Sequence, residues 1–455
     1  MIYDKKNITD INVDNKNVIV RVDFNVPISN GVVVDDKRIK EALPTINYLL
    51  EKNAKIILLS HLGRVKNLDD LKKRTLKPVY NHLKVLLPDV SISFEENNTN
   101  AKLVDKIKKM STGSIILLEN TRFNDIDSKG QVVKKESKND QKLAKFWASL
   151  GDVFVNDAFG TSHRAHASNV GIASNISDSC VGFLIEKELK MLSKAINNPS
   201  KPVVAIFGGA KISDKIKSIE NIAGISDKIL IGGGMSYTFQ KALGYEIGKS
   251  IFEEETLDVA RELLKKYGDK IILPIDINAS LEFADTKPKR FKVTNFDKSY
   301  EGLDIGKKTC KIFIKEIKKA KTIIWNGPLG VCEFNNYSAG TNAICKAIAK
   351  YGSKNNAFTL IGGGDSASAA IKLGYENGFS HISTGGGASI QFLEGSDLPG
   401  ISIIKNSGDV ATNKKTNNKS KSVTSSKNSK SVSKPKETKK SITKKSASNK
   451  KQNKK

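Results

Sequence analysis

In this 455-residue chain, basic side chains recur just past the ends of apolar runs. The stretch "RVDFNVP" (21–27) carries Arg21, Asp23 and Asn25, which a strand's period of two places on one face. "SHLGR" (60–64) follows the next run and offers His61 and Arg64. "ENTRF" (119–123) offers Arg122, and "GTSHRAHAS" (160–168) offers His163, Arg164 and His166. Arg38 opens a helical stretch, "DDKRIKEALPTI". A single arginine in such a place is ordinarily a solvated surface residue. One basic group after each of four successive strands converges instead on a small, highly anionic molecule. Arginine suits phosphate and carboxylate because its planar fork donates two hydrogen bonds at once.

A second group lies further on. In "GGAKISDK" (208–215) Lys211 and Lys215 are four residues apart. A helix beginning near Ile212 or Ser213 would point both along one side of its first turn. Backbone N–H groups there, with two ammonium groups, make an anion site; the plainer reading is a turn with two solvated lysines. "IGGGM" (231–235), "IGGGDSASAA" (361–370) and "STGGGAS" (383–389) end further apolar runs in triple glycines. Such runs cost chain entropy, and they let a backbone approach a ligand closely. Asp365 or Ser366 either caps a helix, or Asp365 offers a carboxylate to Mg²⁺ on a nucleotide phosphate. "WNGPLGVCEF" (325–334) adds Asn326 and Glu333, although Asn-Gly-Pro alone marks only a turn.

The elements that must position these groups are short apolar runs alternating with helical periodicity. One series ends near residue 160 and a second begins at "PVVAIFGGAK" (202–211). Continuous apolar strands alternating with helices imply parallel sheets covered on both faces. The expected fold is α/β: two doubly wound, Rossmann-like parallel-sheet domains joined by an interdomain helix, plus a disordered C-terminal tail. The expected boundaries are 1–177, a helix and hinge at 178–198 capped by Ser177 or Asp178, 199–390, a return segment at 391–408, and a tail at 409–455. Ligands of such sheets bind beyond the carboxyl ends of the strands.

Composition narrows the class. The four cysteines form no C-x-x-C pair, which disfavours a zinc site or a disulfide framework. No apolar leader or run of about 18 apolar residues occurs, so a cytoplasmic protein without membrane contact is expected. The net charge is +27. Residues 411–455 hold 16 lysines and one acid, a net +15, which leaves +12 for the rest. That tail cannot bury enough apolar surface to offset its ordering entropy.

Taken in order, "RVDFNVP", "SHLGR", "ENTRF", "NDAFGTSHRAHAS", "VGFLIEKEL", "FGGAKISDKI", "GGGMSYTF", "GLDIG", "WNGPLGVCE", "GGGDSA" and "STGGGAS" resemble the phosphoglycerate kinase family over about residues 3–405. The resemblance implies phosphoryl transfer between 1,3-bisphosphoglycerate with MgADP and 3-phosphoglycerate with MgATP, by a monomer. It implies that Arg21, Asp23, Asn25, Arg38, His61, Leu62, Gly63, Arg64, Arg122, His163 and Arg164 surround the phosphoglycerate. It gives Lys211, Lys215, Asn326, Gly363, Gly364, Asp365 and Ser366 to the nucleotide phosphates, with Asp365 towards Mg²⁺. Gly302 and Leu303 would line the adenine pocket and Glu333 would meet the ribose. Arg38, Lys215 and the amides of Gly363 and Gly386 become the candidates for stabilising the phosphoryl group in flight. Val65 and Thr121 depart from the family's usual proline and leucine or valine; neither is a proposed ligand. A dehydrogenase is disfavoured because no G-x-G-x-x-G opens either series. The lysine-rich tail either binds nucleic acid or another anionic surface or simply solvates the chain.

Overall fold

The computed structural model of the chain describes residues 4–408. The first series of apolar runs forms β1 (Asn17–Val22), β2 (Lys55–Leu59), β3 (Ile92–Glu95), β4 (Ile115–Leu118), β5 (Val153–Asp157) and β6 (Asp178–Val181). All pairings are parallel, in the order β3-β4-β2-β1-β5-β6. Every residue of β4 and β5 is buried, as expected of strands covered on both faces. β1 is shorter than "NVIVRVDFNV" suggests. Past Val22 side chains take over the backbone donors: Ser60 Oγ accepts from Phe24 N at 2.9 Å and Asp23 from Asn25 N at 3.3 Å. Asp23 and Asn25 therefore lie on an irregular segment beyond the sheet edge, not on the strand.

The second series gives β7 (Val203–Phe207), β8 (Lys228–Ile231) and β9 (Ile271–Ile272). An antiparallel accessory sheet follows: β10 (Asp276–Ser280), β11 (Lys289–Lys292) and β12 (Glu301–Ile305). The main sheet then continues with β13 (Thr322–Asn326), β14 (Phe358–Ile361) and β15 (His381–Ile382). Its order is β9-β8-β7-β13-β14-β15, all parallel. The strand order reverses between β7 and β13, where ligands of doubly wound sheets bind. Both sheets thus have the α/β architecture expected, while the expectation of disorder for 409–455 lies outside the described residues.

The linking helix runs Phe183–Ile196. It starts later than expected because Ser179, Cys180 and Val181 pair with β5 as β6. Gly182, not Ser177 or Asp178, precedes the helix. Leu189, Leu192 and Ala195 of the helix belong to one continuous apolar cluster that spans a face of each sheet. The chain then returns: Leu398, Ile401 and Ile404 join that cluster, and Asn156 Nδ2 donates to Gly400 O at 2.7 Å. The described residues, 4–408, thereby form one compact unit.

Asp157, at the end of β5, accepts the N–H groups of Leu184 and Ile185 at 2.9 and 3.3 Å on Oδ1, while its buried Oδ2 has no partner. Burial pushes its carboxyl up to about 7, against the hydrogen bonds from Ile185 and Leu184. The unfolded chain ionises this group near pH 4, so between about pH 4 and 7 the folded protein binds the extra proton. Stability from this group is present below that window and is lost as pH rises through it. Asp157→Asn should flatten the fall, raising Tm near pH 8 by about 2–4 °C relative to wild type while leaving it nearly unchanged near pH 4. Thermal unfolding across pH checks this; parallel profiles would refute it.

Candidate active site

Past the carboxyl edge of the first sheet lies a cavity of about 190 Å³ walled by Asp23, Asn25, Arg38, His61, Arg122, Gly160, Thr161, His163, Arg164 and His166. Gly385, Gly386 and Gly387 close it from the second sheet. Arg38, in the first turn of the helix Lys37–Glu51, places Nη1 2.9 Å from Asp23 Oδ2 and 3.4 Å from Asn25 O. Asn25 Oδ1 accepts from Gly63 N at 2.8 Å, which ties the β1 and β2 loops together. Arg122 sits in a 3₁₀ turn, Thr121–Asp125, whose Asn120 cap accepts from Arg122 N. Its Nη1 reaches Ser137 Oγ at 3.0 Å and its buried Nε has no partner.

The cavity is cationic: Asp23 answers Arg38 at 2.9 Å and Asp125 answers Arg122 at 3.5 Å, while among the described residues Arg164 has no ion-pair partner. Burial, then the neighbouring Arg122 and Arg64, lowers the Arg164 pKa. His61 is held well below the ordinary histidine value by burial and by Arg21, Arg122, Arg38 and Arg164. Burial, then Arg122, Arg21, His61 and Arg164, pushes His166 down to about 2. Both rings are neutral at physiological pH, so the arginines carry the field. An anion entering the cavity relieves their mutual repulsion.

Four residues implied by the resemblance, Arg21, Leu62, Gly63 and Arg64, do not line this cavity. Arg21 is fully buried behind it, donating to Ser168 Oγ at 2.8 Å and to Val22 O, with Nη2 3.3 Å from His61 Nδ1. It supports the wall, because its place on a covered strand leaves it no route to the ligand. Leu62 packs in the core, and Asn120 brackets its N–H and C=O at 3.1 and 2.8 Å. Arg64 is exposed outside the cavity wall.

The second sheet carries a cleft of about 670 Å³ at its switch point. Three loops are knitted there through their backbones. Gly208 N donates to Asn326 O at 3.0 Å, Gly209 N to Pro328 O at 2.8 Å and Gly233 N to Leu329 O at 3.1 Å. A Cβ on Gly208 would lie 2.0 Å from Pro328 O, so only glycine allows the loops to meet. Lys215 is nearly buried and spans the switch point, with Nζ 3.0 Å from Asn326 Oδ1. Burial lowers its pKa, against Asp214, Asp365 and Glu394. Asn326 Nδ2 is buried without a partner.

The helix after this loop begins at Ile216, not at Ile212 or Ser213. Glu253 captures Ser213 instead, accepting from its N–H at 2.9 Å and its hydroxyl at 2.6 Å. Residues 212–214 therefore turn outside the helix, leaving Lys211 exposed and Lys215 inward rather than both on one helical face. Gly363 stands against Asn326 with φ +154°, and the helix Gly364–Lys372 starts there. Ser366 Oγ accepts from Gly327 N at 2.6 Å, so Ser366 joins two loops rather than capping its helix. Asp365 is exposed in the cleft.

At the far end of the cleft Gly302 and Leu303 form one wall and Glu333 another. Tyr237, Phe283 and Phe334, to which the sequence analysis gives no role, supply aromatic walls. Phe283 and Phe334 ring centroids stand 5.0 Å apart. A Cβ at Gly302 would lie 2.0 Å from the Tyr237 hydroxyl. Gly302→Val should therefore raise KM for the nucleotide at least about tenfold with KM for the other substrate unchanged. Steady-state kinetics with each substrate varied checks this, and an unchanged nucleotide KM would refute it.

Sequence reasoning also missed Glu188. Its buried carboxylate takes His381 Nε2 at 2.8 Å, Ser383 Oγ at 2.9 Å, and Thr384 N and Oγ1 at 2.7 Å each. It thus anchors the strand end before Gly385–Gly387 to the linking helix. The available signal was a charged residue at a core-facing position between Leu184 and Leu192.

Comparison with known proteins converges on one family. The phosphoglycerate kinase family model matches residues 8–396. The chain is 56% identical over 414 residues to the phosphoglycerate kinase of Malacoplasma penetrans, covering 90% of this chain and 88% of that protein. It is 55% identical over 411 residues to that of Spiroplasma citri, covering 88% and 99%. Among solved structures, the phosphoglycerate kinase of Coxiella burnetii superposes with a TM-score of 0.76 at 38% identity, covering 88% and 98%. That of Pyrococcus horikoshii gives 0.73 at 30%, covering 88% and 99%. The family model's match over residues 8–396, with 55–56% identity to these relatives over most of their length, shows that the chain belongs to the phosphoglycerate kinase family and is a phosphotransferase.

Proposed function

We propose that the chain transfers a phosphoryl group reversibly between 1,3-bisphosphoglycerate with MgADP and 3-phosphoglycerate with MgATP. The observation that carries this reading is the pair of facing anion sites: a cavity lined by arginines, closed by Gly385–Gly387 of the sheet that holds the nucleotide cleft. Towards ATP, the bond between the acyl oxygen and phosphorus breaks and its electron pair stays on the carboxylate of 3-phosphoglycerate. An oxygen of the ADP β-phosphate forms the new bond. Such transfer asks the protein for in-line positioning and charge stabilisation rather than covalent work.

Asp23, Asn25, His61, Arg122, His163 and Arg164 hold the phosphoglycerate. Gly302, Leu303 and Glu333 hold the nucleoside; Lys211, Gly364, Asp365 and Ser366 attend its phosphates, and Asn326 lies near the transferred group. Arg38 from one side, and Lys215 with the amides of Gly363 and Gly386 from the other, meet the charge on the transferring group. The phosphoglycerate side comprises 1–177 and the nucleotide side 199–390, with the linking helix and the 391–408 return as hinge. Closure about that hinge excludes water from the acyl phosphate.

Mg²⁺ fits as a passenger of the nucleotide. Among the described residues no group of three metal-ligating side chains exists, but Asp365 offers a single exposed carboxylate in the cleft. One carboxylate plus substrate phosphates is how such ions are ordinarily held. Bound there, Mg²⁺ would neutralise phosphate charge. A coupled assay for ATP formation from 1,3-bisphosphoglycerate tests the whole reading, and no turnover with MgADP would refute it.

The reading also includes a monomeric, cytoplasmic enzyme; no helix among the described residues is long and apolar enough to cross a membrane. The tail's 16 lysines against one acid support a second role, retention of nucleic acid or another anionic surface by electrostatics. Equal retention of DNA and RNA by the full chain and by one ending at Gly408 would refute it.

A further inference from the structure

The helices Lys307–Ile317 and Ala339–Lys354 pack side by side over one face of the second sheet. Cys310, Phe313, Ile344 and Ile348 point inward to the core. Outward, residues 306–321 and 342–354 present ten lysines and one glutamate. That net +9 is most of the +12 carried by the chain outside its tail. All ten lysines are exposed.

The lysines form two rows. Lys307, Lys311 and Lys315 follow one helix at steps of four residues, and Lys346, Lys350 and Lys354 follow the other. Each step rises about 6 Å. Among the described residues none of these six has an ion-pair partner; Glu316, the single acid, pairs with Lys319 at 3.2 Å. The rows meet at Tyr351, whose ring centroid lies 5.1 Å from Lys318 Nζ and 5.7 Å from Lys350 Nζ. Helix dipoles account for lysines in the last turns, but they oppose Lys307 and Lys308 in a first turn. The repulsion among these charges is uncompensated within the fold.

We propose that this face binds the phosphodiester backbone of nucleic acid without reading bases. A linear polyanion with regularly spaced charges matches two regular rows of cations, and release of its counterions drives binding. A bilayer suits the face less: none of the large apolar side chains left exposed belongs to either helix, so nothing inserts below the headgroups. Lysine ammonium groups act as point charges, and no arginine fork is present to read a base edge. The C-terminal turns lead directly into β13 and β14, so that end of the face lies at the amino edge of the sheet, opposite the nucleotide cleft. Binding there leaves the cleft open.

The test uses the full chain, tail included, and fluorescence anisotropy of a labelled mixed-sequence oligonucleotide between about 50 and 200 mM salt. Lys311, Lys315, Lys346 and Lys350 are replaced together by Glu, by Gln or by Arg. The Glu and Gln sets should bind at least about tenfold more weakly, with a salt slope shallower by about 3. The Arg set should bind like wild type, and all sets should keep kcat and both KM values, which also reports intact folding. Wild-type affinity and slope in the Gln set would assign all binding to the tail and overturn the proposal. So would absence of binding by wild type, or a loss seen on phosphatidylglycerol vesicles but not on the oligonucleotide.

Discussion

Arg38→Ala should lower kcat by about 10²–10³ while leaving the nucleotide KM within about twofold. Arg38 has a half-exposed guanidinium at the mouth of the substrate cavity, held by Asp23 Oδ2 and Asn25 O. Those two acceptors aim it without neutralising it on all sides. Across the cavity stand Gly385–Gly387, so a phosphoryl group passing between the two sheets travels beside it. Removing one preorganised donor at developing charge costs about 3–4 kcal/mol in barrier. Arg38→Lys should recover little, because an ammonium lacks the fork that bridges phosphoryl oxygens. The helix Lys37–Glu51 is anchored by Ile39, Ala42, Thr45, Ile46 and Leu49, so the variant should fold normally. Steady-state kinetics with circular dichroism as a folding control decides this. Wild-type turnover in Arg38→Ala would remove the residue from the transition state.

Lys215→Ala should lower kcat at least tenfold, and towards 10², with a smaller rise in nucleotide KM. The ammonium group stands at the switch point, 3.0 Å from Asn326 Oδ1 and against Gly209. Asn326 Nδ2, on the same side chain, is buried and unsatisfied, a donor left without an acceptor. Truncation also strips the Asn326 side chain of its hydrogen bond from Lys215, so a stability loss of about 1–3 kcal/mol should accompany the kinetic defect. The two effects separate experimentally: denaturant unfolding of the unliganded variant reads the second, and kcat under saturating substrates reads the first. A loss of stability with wild-type kcat would make Lys215 a structural residue only.

Both variants rest on residues visible from type and spacing, but their geometry was visible only in part. The basic groups after four strands and the glycine turns after several others are local facts, because a βα unit writes its loop chemistry immediately past its apolar run. Strand direction followed as well, since continuous apolar runs separated by helical periods leave little choice but parallel sheets. The elements whose boundaries shifted were those decided by a neighbour. β6 claimed Asp178–Val181 from the linking helix because β5 offered an open edge. The helix after Lys215 lost its expected first turn because Glu253, forty residues away, binds Ser213.

The sequence by itself determined the family's ordered motifs, the parallel α/β architecture and the two basic groups of residues, because these depend on short-range pattern and composition. Tertiary structure alone decided which of those residues face a ligand. Arg21 and Arg164 have the same side chain, yet one is sealed behind the cavity wall and the other stands open on it. The triple glycines look alike in sequence, but Gly233–Gly234 line the nucleotide cleft while Gly385–Gly387 cross to the arginines. The pairing of lysine rows from two helices into one surface was likewise hidden, because their sequence separation says nothing about which helices lie side by side. Burial and facing are sums over distant neighbours, and no local window of residues contains them.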